Sequence, residues 1–237
     1  MALALLAVLL GWLTAPPSSL APQMRPPLGL FTSLPLWWGE ADDVAAQIAA
    51  PQNSQSQTNW ARTVLEERHR VVLLDTLLAP EGIADLLMAQ PRPLAPQENV
   101  ALDRWVRGGG HLLLFADPML TWESRFALGD RRRPQDTVLL SPILAHWGLQ
   151  LRFDPDQPGE LRENAGTGLP VRLAGTLAPL PGGEAACRIE GEGLLADCRI
   201  GQGRVLILAD SALLEPSDQP AVRARKLRAL MARAFLR

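Results

Sequence analysis

The sequence lacks the signatures of several large functional classes. It has 23 basic and 25 acidic residues and a net charge of -2, so it has no excess of positive charge that would attract nucleic acid. It contains no Gly-x-Ser-x-Gly, and neither cysteine stands at a predicted strand-to-helix junction, which disfavours a hydrolase with a serine or cysteine nucleophile. The sequence therefore predicts no nucleic-acid partner and no enzyme of these types.

Motifs that would hold a phosphate cofactor or a metal are missing as well. The run of three glycines at 108–110 precedes a predicted strand rather than a helix, so it does not have the setting of a phosphate-binding loop. The three histidines, His69, His111 and His146, are isolated and have no metal-ligand spacing. The sequence therefore predicts no cofactor.

The N-terminus has a long apolar run but no basic residue before it. Residues 2–15 are uncharged and mainly apolar, and prolines follow. A membrane-spanning helix needs about 20 apolar residues, whereas the hydrophobic part of a signal peptide needs roughly 7–15. We therefore predict a secretory signal or an N-terminal membrane anchor over residues 1–15, followed by a proline-rich linker over 16–27. The protein would then be periplasmic or anchored in the inner membrane. Because a signal peptide usually has a basic residue before its apolar run, two alternatives remain: the protein begins further upstream, or the apolar run is a buried helix.

The two cysteines bear on the same question of location. Cys187 and Cys198 flank a glycine-rich stretch. If Glu192 and Gly193 form a two-residue hairpin loop, the cysteines lie directly opposite each other on antiparallel strands, within reach of a disulfide. A disulfide would agree with an oxidising periplasm. The alternative is that both are small apolar side chains on one face of a sheet.

Apolar strand-like runs alternate with segments of helical periodicity, which predicts one α/β domain over residues 28–237. Later in the chain, strands follow one another through tight turns, which indicates a C-terminal antiparallel extension. We expect a mainly parallel sheet of flavodoxin-like layout. The predicted strands are 28–34, 70–77, 111–116, 149–153, 171–174, 187–190, 194–200 and 204–209, and the predicted helices are 57–69, 80–88, 97–107, 142–147 and 220–236.

The residues that follow each predicted strand are the candidates for ligand binding. In open parallel sheets, ligands bind beyond the carboxyl ends of the strands. The hydroxyl, carboxylate and indole groups found at these positions suit a small polar or carbohydrate ligand. The competing interpretation is that Asp and Ser after a strand cap helices or form turns. The candidate binding residues are Thr32, Ser33, Trp37, Trp38, Glu40, Asp117, Asp210 and Ser211.

Three strand-end carboxylates suggest a second chemistry. If all the strands concerned are parallel neighbours, Asp75, Asp117 and Asp210 converge on one edge, where their oxygens would bind a divalent cation and support metal-assisted hydrolysis. Against this, Asp75 and Asp210 stand where a strand meets a helix cap, and Asp117 precedes a proline, a common way to begin a turn.

The adjacent Trp37 and Trp38 indicate a surface for recognition. Two neighbouring aromatic side chains after a strand do not both face the same core layer, so we expect at least one of them at a rim or an interface. The alternative is that the pair packs under the following helix.

Two stretches, ALDRWVRGGGHLLLFADP (101–118) and GQGRVLILADSALL (201–214), carry a resemblance to a known family. They resemble units of uncharacterised bacterial ABC-type transport-system domains, including accessory proteins of the gliding-motility type. Those domains resemble class I glutamine amidotransferases in fold, so the resemblance implies a glutamine-amidotransferase-like sheet. It does not imply glutaminase activity, because no cysteine here matches the position of the amidotransferase nucleophile.

These expectations combine into one functional prediction and two rivals. The prediction is a non-catalytic binding or accessory module of the cell envelope that binds a small polar or carbohydrate ligand. Its expected partners, implied by the resemblance, are the subunits of an ABC-type transporter. The rivals are the metal-assisted hydrolase and a purely structural envelope protein that docks on a membrane complex through its C-terminal helix or N-terminal anchor.

Overall fold

The computed structural model describes residues 25–37, 60–182 and 185–235. Its strands and helices alternate through the first half of the chain, and strands dominate the second half. The strands are β1 (Pro27–Thr32), β2 (Arg70–Leu73), β3 (Asp85–Ala89), β4 (His111–Phe115), β5 (Leu149–Phe153), β6 (Arg162–Glu163), β7 (Pro170–Val171), β8 (Gly175–Pro179), β9 (Ala186–Glu190), β10 (Leu195–Ile200) and β11 (Gly203–Leu208). The helices are α1 (Trp60–Arg68), α2 (Pro96–Arg107), α3 (Ser141–His146) and α4 (Pro220–Ala234), with a 3-10 turn at Ala212–Leu214.

Within the described residues, seven strands form the central sheet, in the order β2-β1-β3-β4-β11-β10-β9. The five strands from β2 to β11 in that order are mutually parallel. β10 and β9 are antiparallel to their neighbours and extend the sheet at one edge. Two small antiparallel sheets, β5-β8 and β6-β7, lie outside it. The fold is therefore α/β with a mainly parallel central sheet, as the sequence pattern predicts.

The sheet is buried on both faces, which explains its continuous apolar strands. In β4, Leu113 and Phe115 pack into the core layer that contains α1 and α4. Leu112 and Leu114 point to the other face, against α2 and α3. This alternation follows from the two-residue period of a strand.

The prediction of a helix over 80–88 is wrong. The segment 85–89 is strand β3, every residue of it is buried, and it lies between β1 and β4. A strand covered on both faces loses the alternation of polar and apolar residues, so a short buried run resembles part of a helix. The missed strand matters for the site, because it separates the first predicted strand from the third.

Other bounds differ less. The second predicted strand, 70–77, ends at Leu73. The strand predicted at 171–174 is reduced to the two residues of β7, and β8 follows where no strand is predicted. No helix in the described part of the chain is long and apolar enough to cross a membrane. Residues 1–15 and the first part of the linker lie outside the described residues.

The hairpin of β9 and β10 has the predicted register. Cys187 pairs with Cys198, and the turn between the strands has a positive φ at Gly191, Glu192 and Gly193. The Leu194 N–H donates to the Gly191 carbonyl at 3.1 Å, so Glu192 and Gly193 are the central residues of the turn, and their positive φ angles fit a type I′ turn. The cysteines form a disulfide, with their Cα atoms 4.0 Å apart. The bond ties the edge strand β9 to the body of the sheet.

Replacing both Cys187 and Cys198 with alanine is expected to lower the free energy of unfolding by about 2–3 kcal/mol, because the cross-link no longer restricts the unfolded chain. Urea unfolding of the variant and of the wild type measures the difference. A reducing agent should lower the stability of the wild type to that of the variant and leave the variant unchanged. If the wild type and the variant were equally stable without reductant, that result would contradict the disulfide.

Candidate functional site

A buried glutamine organises the carboxyl end of the sheet. Gln90 directly follows β3, is 0% exposed and has a positive φ of 45°. Its Nε2 donates to the carbonyls of Asp117 and Gln135, at 3.0 and 2.8 Å, and its Oε1 accepts the N–H of Asp117 at 3.0 Å. A positive φ is costly for a residue with a side chain, so the surrounding bonds must hold this conformation. Gln90 thus joins the end of β3 to the segment after β4.

The two predicted hydroxyl residues after β1 take part in the same framework. Ser33 Oγ donates to the Gln90 carbonyl and accepts the N–H of Gln135, the latter at 3.0 Å. Thr32 Oγ1 donates to the carbonyl of Ala89 at 2.8 Å. Both hydroxyl protons are therefore used within the protein. The Ser33 bonds to Gln90 and Gln135 fix the segment around Gln135 over the ends of β1 and β3.

A cavity of about 320 Å³ opens at this place, and we call it the switch pocket. It lies where the chain runs from β1 outwards to β2 and then crosses back to β3 on the other side of β1. Such a reversal of strand order leaves a crevice at the carboxyl ends of the strands. The pocket is lined by Phe31, Thr32, Ser33, Leu74, Asp75, Arg92, Arg131, Arg132, Arg133 and Gln135.

Arg92 is held in the pocket wall by a buried glutamate. Its two terminal nitrogens each donate to Glu98 at 2.8 Å, and one of them also donates to the carbonyl of Asp75 at 2.7 Å. The Arg92 guanidinium, helped by the N–H groups of Ala95 and Leu77, lowers the pKa of Glu98 to about 2. Glu98 is 3% exposed. It therefore acts as a fixed anchor for Arg92.

The three consecutive arginines at 131–133 line the switch pocket. Arg132 pairs with Asp130 at 2.7 Å and Arg133 with Asp136 at 3.1 Å. Arg131 is exposed and has no carboxylate partner within the ranges that the structure describes. Three arginines in a charged stretch are typical of a solvated loop, and their place at the pocket depends on the bond of Gln135 to Ser33, 102 residues away.

Asp117, Asp210 and Ser211 lie together, as predicted, but they are closed off from solvent. Asp117 is 1% exposed, and Asp210 and Ser211 are 0% exposed. Asp117 accepts the N–H groups of Ser211 and Met119, at 3.0 and 2.9 Å, and the Ser211 hydroxyl at 2.6 Å. Backbone N–H groups and the Ser211 hydroxyl thus satisfy the Asp117 carboxylate, and its burial keeps a ligand from it.

Asp210 is also buried and satisfied by hydrogen bonds within the protein. Its two oxygens accept the N–H groups of Arg172 and Ala212, at 2.8 and 2.5 Å, so it begins the 3-10 turn and fixes the strand-end segment at 172. Burial raises the pKa of Asp117, and burial together with the neighbouring Asp117 charge raises the pKa of Asp210. This is the structural role that the competing interpretation of strand-end carboxylates predicts.

Asp75 does not join this cluster. It follows the edge strand β2, is exposed, and lies beside the switch pocket, with β1 and β3 between its strand and β4. The metal-assisted hydrolase requires Asp75, Asp117 and Asp210 to lie within a few ångströms of one another, and the strand order separates the first from the other two. Among the residues described, no three His, Cys, Asp or Glu side chains are grouped so as to hold a metal ion.

Trp37 is half-buried and packs against the core layer beside α1. The guanidinium carbon of Arg62 lies 4.1 Å from the centre of its ring. One face of the indole is therefore covered by a cation rather than open for a sugar. Trp38 and Glu40 lie outside the described residues.

The sequence interpretation misses Gln90, Arg92 and Gln135 as site residues. The first two follow β3, and the error over that strand hides them. Arg92 stands in a proline-rich stretch that has no other sign of function. A correct assignment of β3 would place both residues at the carboxyl end of a central strand, where ligand sites are expected.

Comparison with known proteins gives only remote structural likeness. No family model matches the sequence, and no curated protein gives a significant sequence match. An exo-beta-1,4-mannosidase from an Opitutaceae bacterium shares 16% identity over 86% of this chain, with a TM-score of 0.46. A GH42 beta-galactosidase from G. stearothermophilus shares 13% identity over 90% of this chain, with a TM-score of 0.48. The chain spans 34% and 30% of the lengths of these two enzymes.

Another similar structure is closer to this chain in length than the two glycosidases are. A cytoplasmic protein from Salmonella typhimurium shares 10% identity over 73% of this chain and 85% of its own length, with a TM-score of 0.40. At this level the likeness concerns the arrangement of strands and helices.

Proposed function

We propose that the protein is a non-catalytic binding module that takes a small polar ligand in the switch pocket. The observation that carries this proposal is the contrast between two regions at the carboxyl ends of the strands. The carboxylates of Asp117 and Asp210 are sealed by backbone donors, whereas the switch pocket is open and lined by charged side chains. An open polar cavity at a reversal of strand order is the usual place for a ligand in a parallel sheet.

The strand order supports a flavodoxin-like arrangement. With β11 counted as the fifth parallel strand, the order β2-β1-β3-β4-β11 has the flavodoxin-like form, and the pocket lies at its reversal. The glutamine-amidotransferase-like layout rests on the two motifs at 101–118 and 201–214, which form α2 with β4 and β11 with the 3-10 turn.

We also propose a place in the cell envelope beside an ABC-type transporter. The apolar run at 2–15 and the cross-strand disulfide support export to an oxidising compartment. The partnership with a transporter rests on the resemblance of the two motifs. Joining residues 1–27 to a reporter enzyme that needs disulfides for activity tests export, because the reporter is active only outside the cytoplasm. An inactive, cytoplasmic reporter would contradict it.

A thermal-shift experiment on the full chain tests the binding function. The probes are glucose, inorganic phosphate, citrate and magnesium ion. A ligand at 100 times its dissociation constant adds about 2.7 kcal/mol to the stability of the native state. We expect at least one probe to raise the melting temperature, and we expect Asp75→Ala to change that shift because Asp75 lines the pocket. The absence of a shift with every probe would contradict the proposal.

A further inference from the structure

We propose that the switch pocket binds the carboxylate or phosphate group of an anionic ligand, and that Arg131 supplies the charge that attracts it. This inference rests on the proposed binding function and narrows the class of ligand. Of the ten residues that line the pocket, four are arginines and one, Asp75, carries a carboxylate.

The carboxylates that neutralise the arginines lie outside the wall. Arg92, Arg132 and Arg133 pair with Glu98, Asp130 and Asp136 in turn. None of these three acids lines the pocket. These three arginines are therefore offset by acids that do not themselves line the cavity. Arg131 is the lining arginine without a carboxylate partner among the described residues, so it supplies the positive charge that a ligand meets there.

Free donors outnumber free acceptors in the pocket. A guanidinium group has five N–H donors and no acceptor. In Arg133, Nε donates to Asp136 and Nη1 to the Phe126 carbonyl, which leaves Nη2 for a ligand. Arg131 has no acceptor within the described ranges. The hydroxyl protons of Thr32 and Ser33 already go to carbonyls. A neutral sugar offers donors as well as acceptors, whereas the charged oxygens of a carboxylate or phosphate group act as acceptors and suit this wall.

The arginines are also held in place before a ligand arrives. The segment that carries them ends at Gln135, whose N–H donates to Ser33 and whose carbonyl accepts the Gln90 side chain. Two bonds to the sheet thus limit the movement of the triplet. A fixed set of donors loses less conformational entropy on binding than a free loop, which favours affinity.

Calorimetric titration of the full chain at low salt tests the inference, with inorganic phosphate, citrate and glucose as probes. We expect phosphate or citrate to bind and glucose not to bind. Binding of phosphate alone identifies a phosphate group as the ligand, and binding of citrate alone identifies a carboxylate. Because an exposed arginine contributes little to stability, Arg131→Gln should fold normally, and it should weaken anion binding by roughly tenfold to a hundredfold.

The control is Arg152→Gln, which removes the same charge from an exposed residue of β5 that does not line the pocket. It should leave the affinity for the anion unchanged. Equal affinity for glucose and the anions, or an Arg131→Gln protein that binds the anion as tightly as the wild type, would overturn the inference and leave the binding function standing. No binding of any probe would overturn both.

Discussion

Asp117→Ala is expected to lower the free energy of unfolding by about 3 kcal/mol and to leave ligand binding in the switch pocket unchanged. The Asp117 carboxylate accepts the N–H groups of Ser211 and Met119 and the Ser211 hydroxyl, and it is 1% exposed. Each buried donor that loses its acceptor costs about 1–3 kcal/mol. Relief of the buried charge offsets part of that loss, which is why the estimate stays below the full sum.

The control for the loss of stability, not for binding, is Asp75→Ala, because Asp75 lines the switch pocket. Asp75 also follows a parallel strand, but it is exposed, so its replacement should change stability by less than about 0.5 kcal/mol. Urea unfolding gives both values, and titration with phosphate or citrate gives the binding. An Asp117→Ala protein of normal stability that no longer binds the ligand would move the site from the switch pocket to the Asp117 cluster.

Glu98→Gln is expected to remove about 3 kcal/mol of stability at neutral pH. The pKa of Glu98 falls from 4.5 to about 2 in the folded protein, and each pKa unit corresponds to about 1.4 kcal/mol. Because the folded pKa is the lower one, this contribution is complete above pH 4.5 and is lost as the pH falls towards 2. Unfolding measured between pH 7 and 2 should show a smaller acid-dependent loss in the variant than in the wild type.

Glu81→Gln provides the control, because Glu81 is exposed in the turn before β3 and its replacement should change stability by less than about 0.5 kcal/mol. Glu98→Gln should also weaken ligand binding, since Arg92 loses its anchor in the pocket wall. A Glu98→Gln protein with the stability and acid dependence of the wild type would show that the Arg92 pair contributes nothing.

Asp117 and Asp210 act in the opposite direction on acidification. Burial raises the pKa of both carboxyls above the unfolded value, so their ionised forms cost stability at neutral pH. This cost is relieved as the pH falls through the raised values. We therefore expect these two carboxyls to raise the free energy of unfolding as the pH falls through their raised pKa values. Glu98 should lower it between pH 4.5 and about 2, where the unfolded chain binds a proton that folded Glu98 does not. A steady decline from pH 7 downwards would contradict these directions.

The sequence predicts the parts of this fold that depend on local patterns. The apolar runs of β4 and β11 and the period of α2 are evident within short windows. The register of Cys187 and Cys198 follows from one hairpin turn, because only the residues between them decide it. The central strand β3 escapes the same reasoning, since a short strand buried on both faces has no alternation to distinguish it from a helix.

The site is harder to predict than the fold because its contacts join distant segments. Ser33 and Gln135 are 102 residues apart, and their hydrogen bond places the arginine triplet over the ends of β1 and β3. The sequence suggests that Asp117 and Asp210 meet if their strands are parallel neighbours, and β4 and β11 are such neighbours. It offers both a ligand-binding and a turn-forming role for them, and the choice between the two depends on how the segments at 119 and 172 fold back over the sheet.

The most direct test of the binding site is a nuclear magnetic resonance titration of the isotope-labelled protein with inorganic phosphate and with citrate. We expect the largest movements in the amide signals of the pocket residues, Ser33, Arg92, Arg131 and Gln135, and we expect these movements to saturate. Signals that move chiefly at Trp37, or an absence of movement at the switch pocket with either anion, would contradict this expectation.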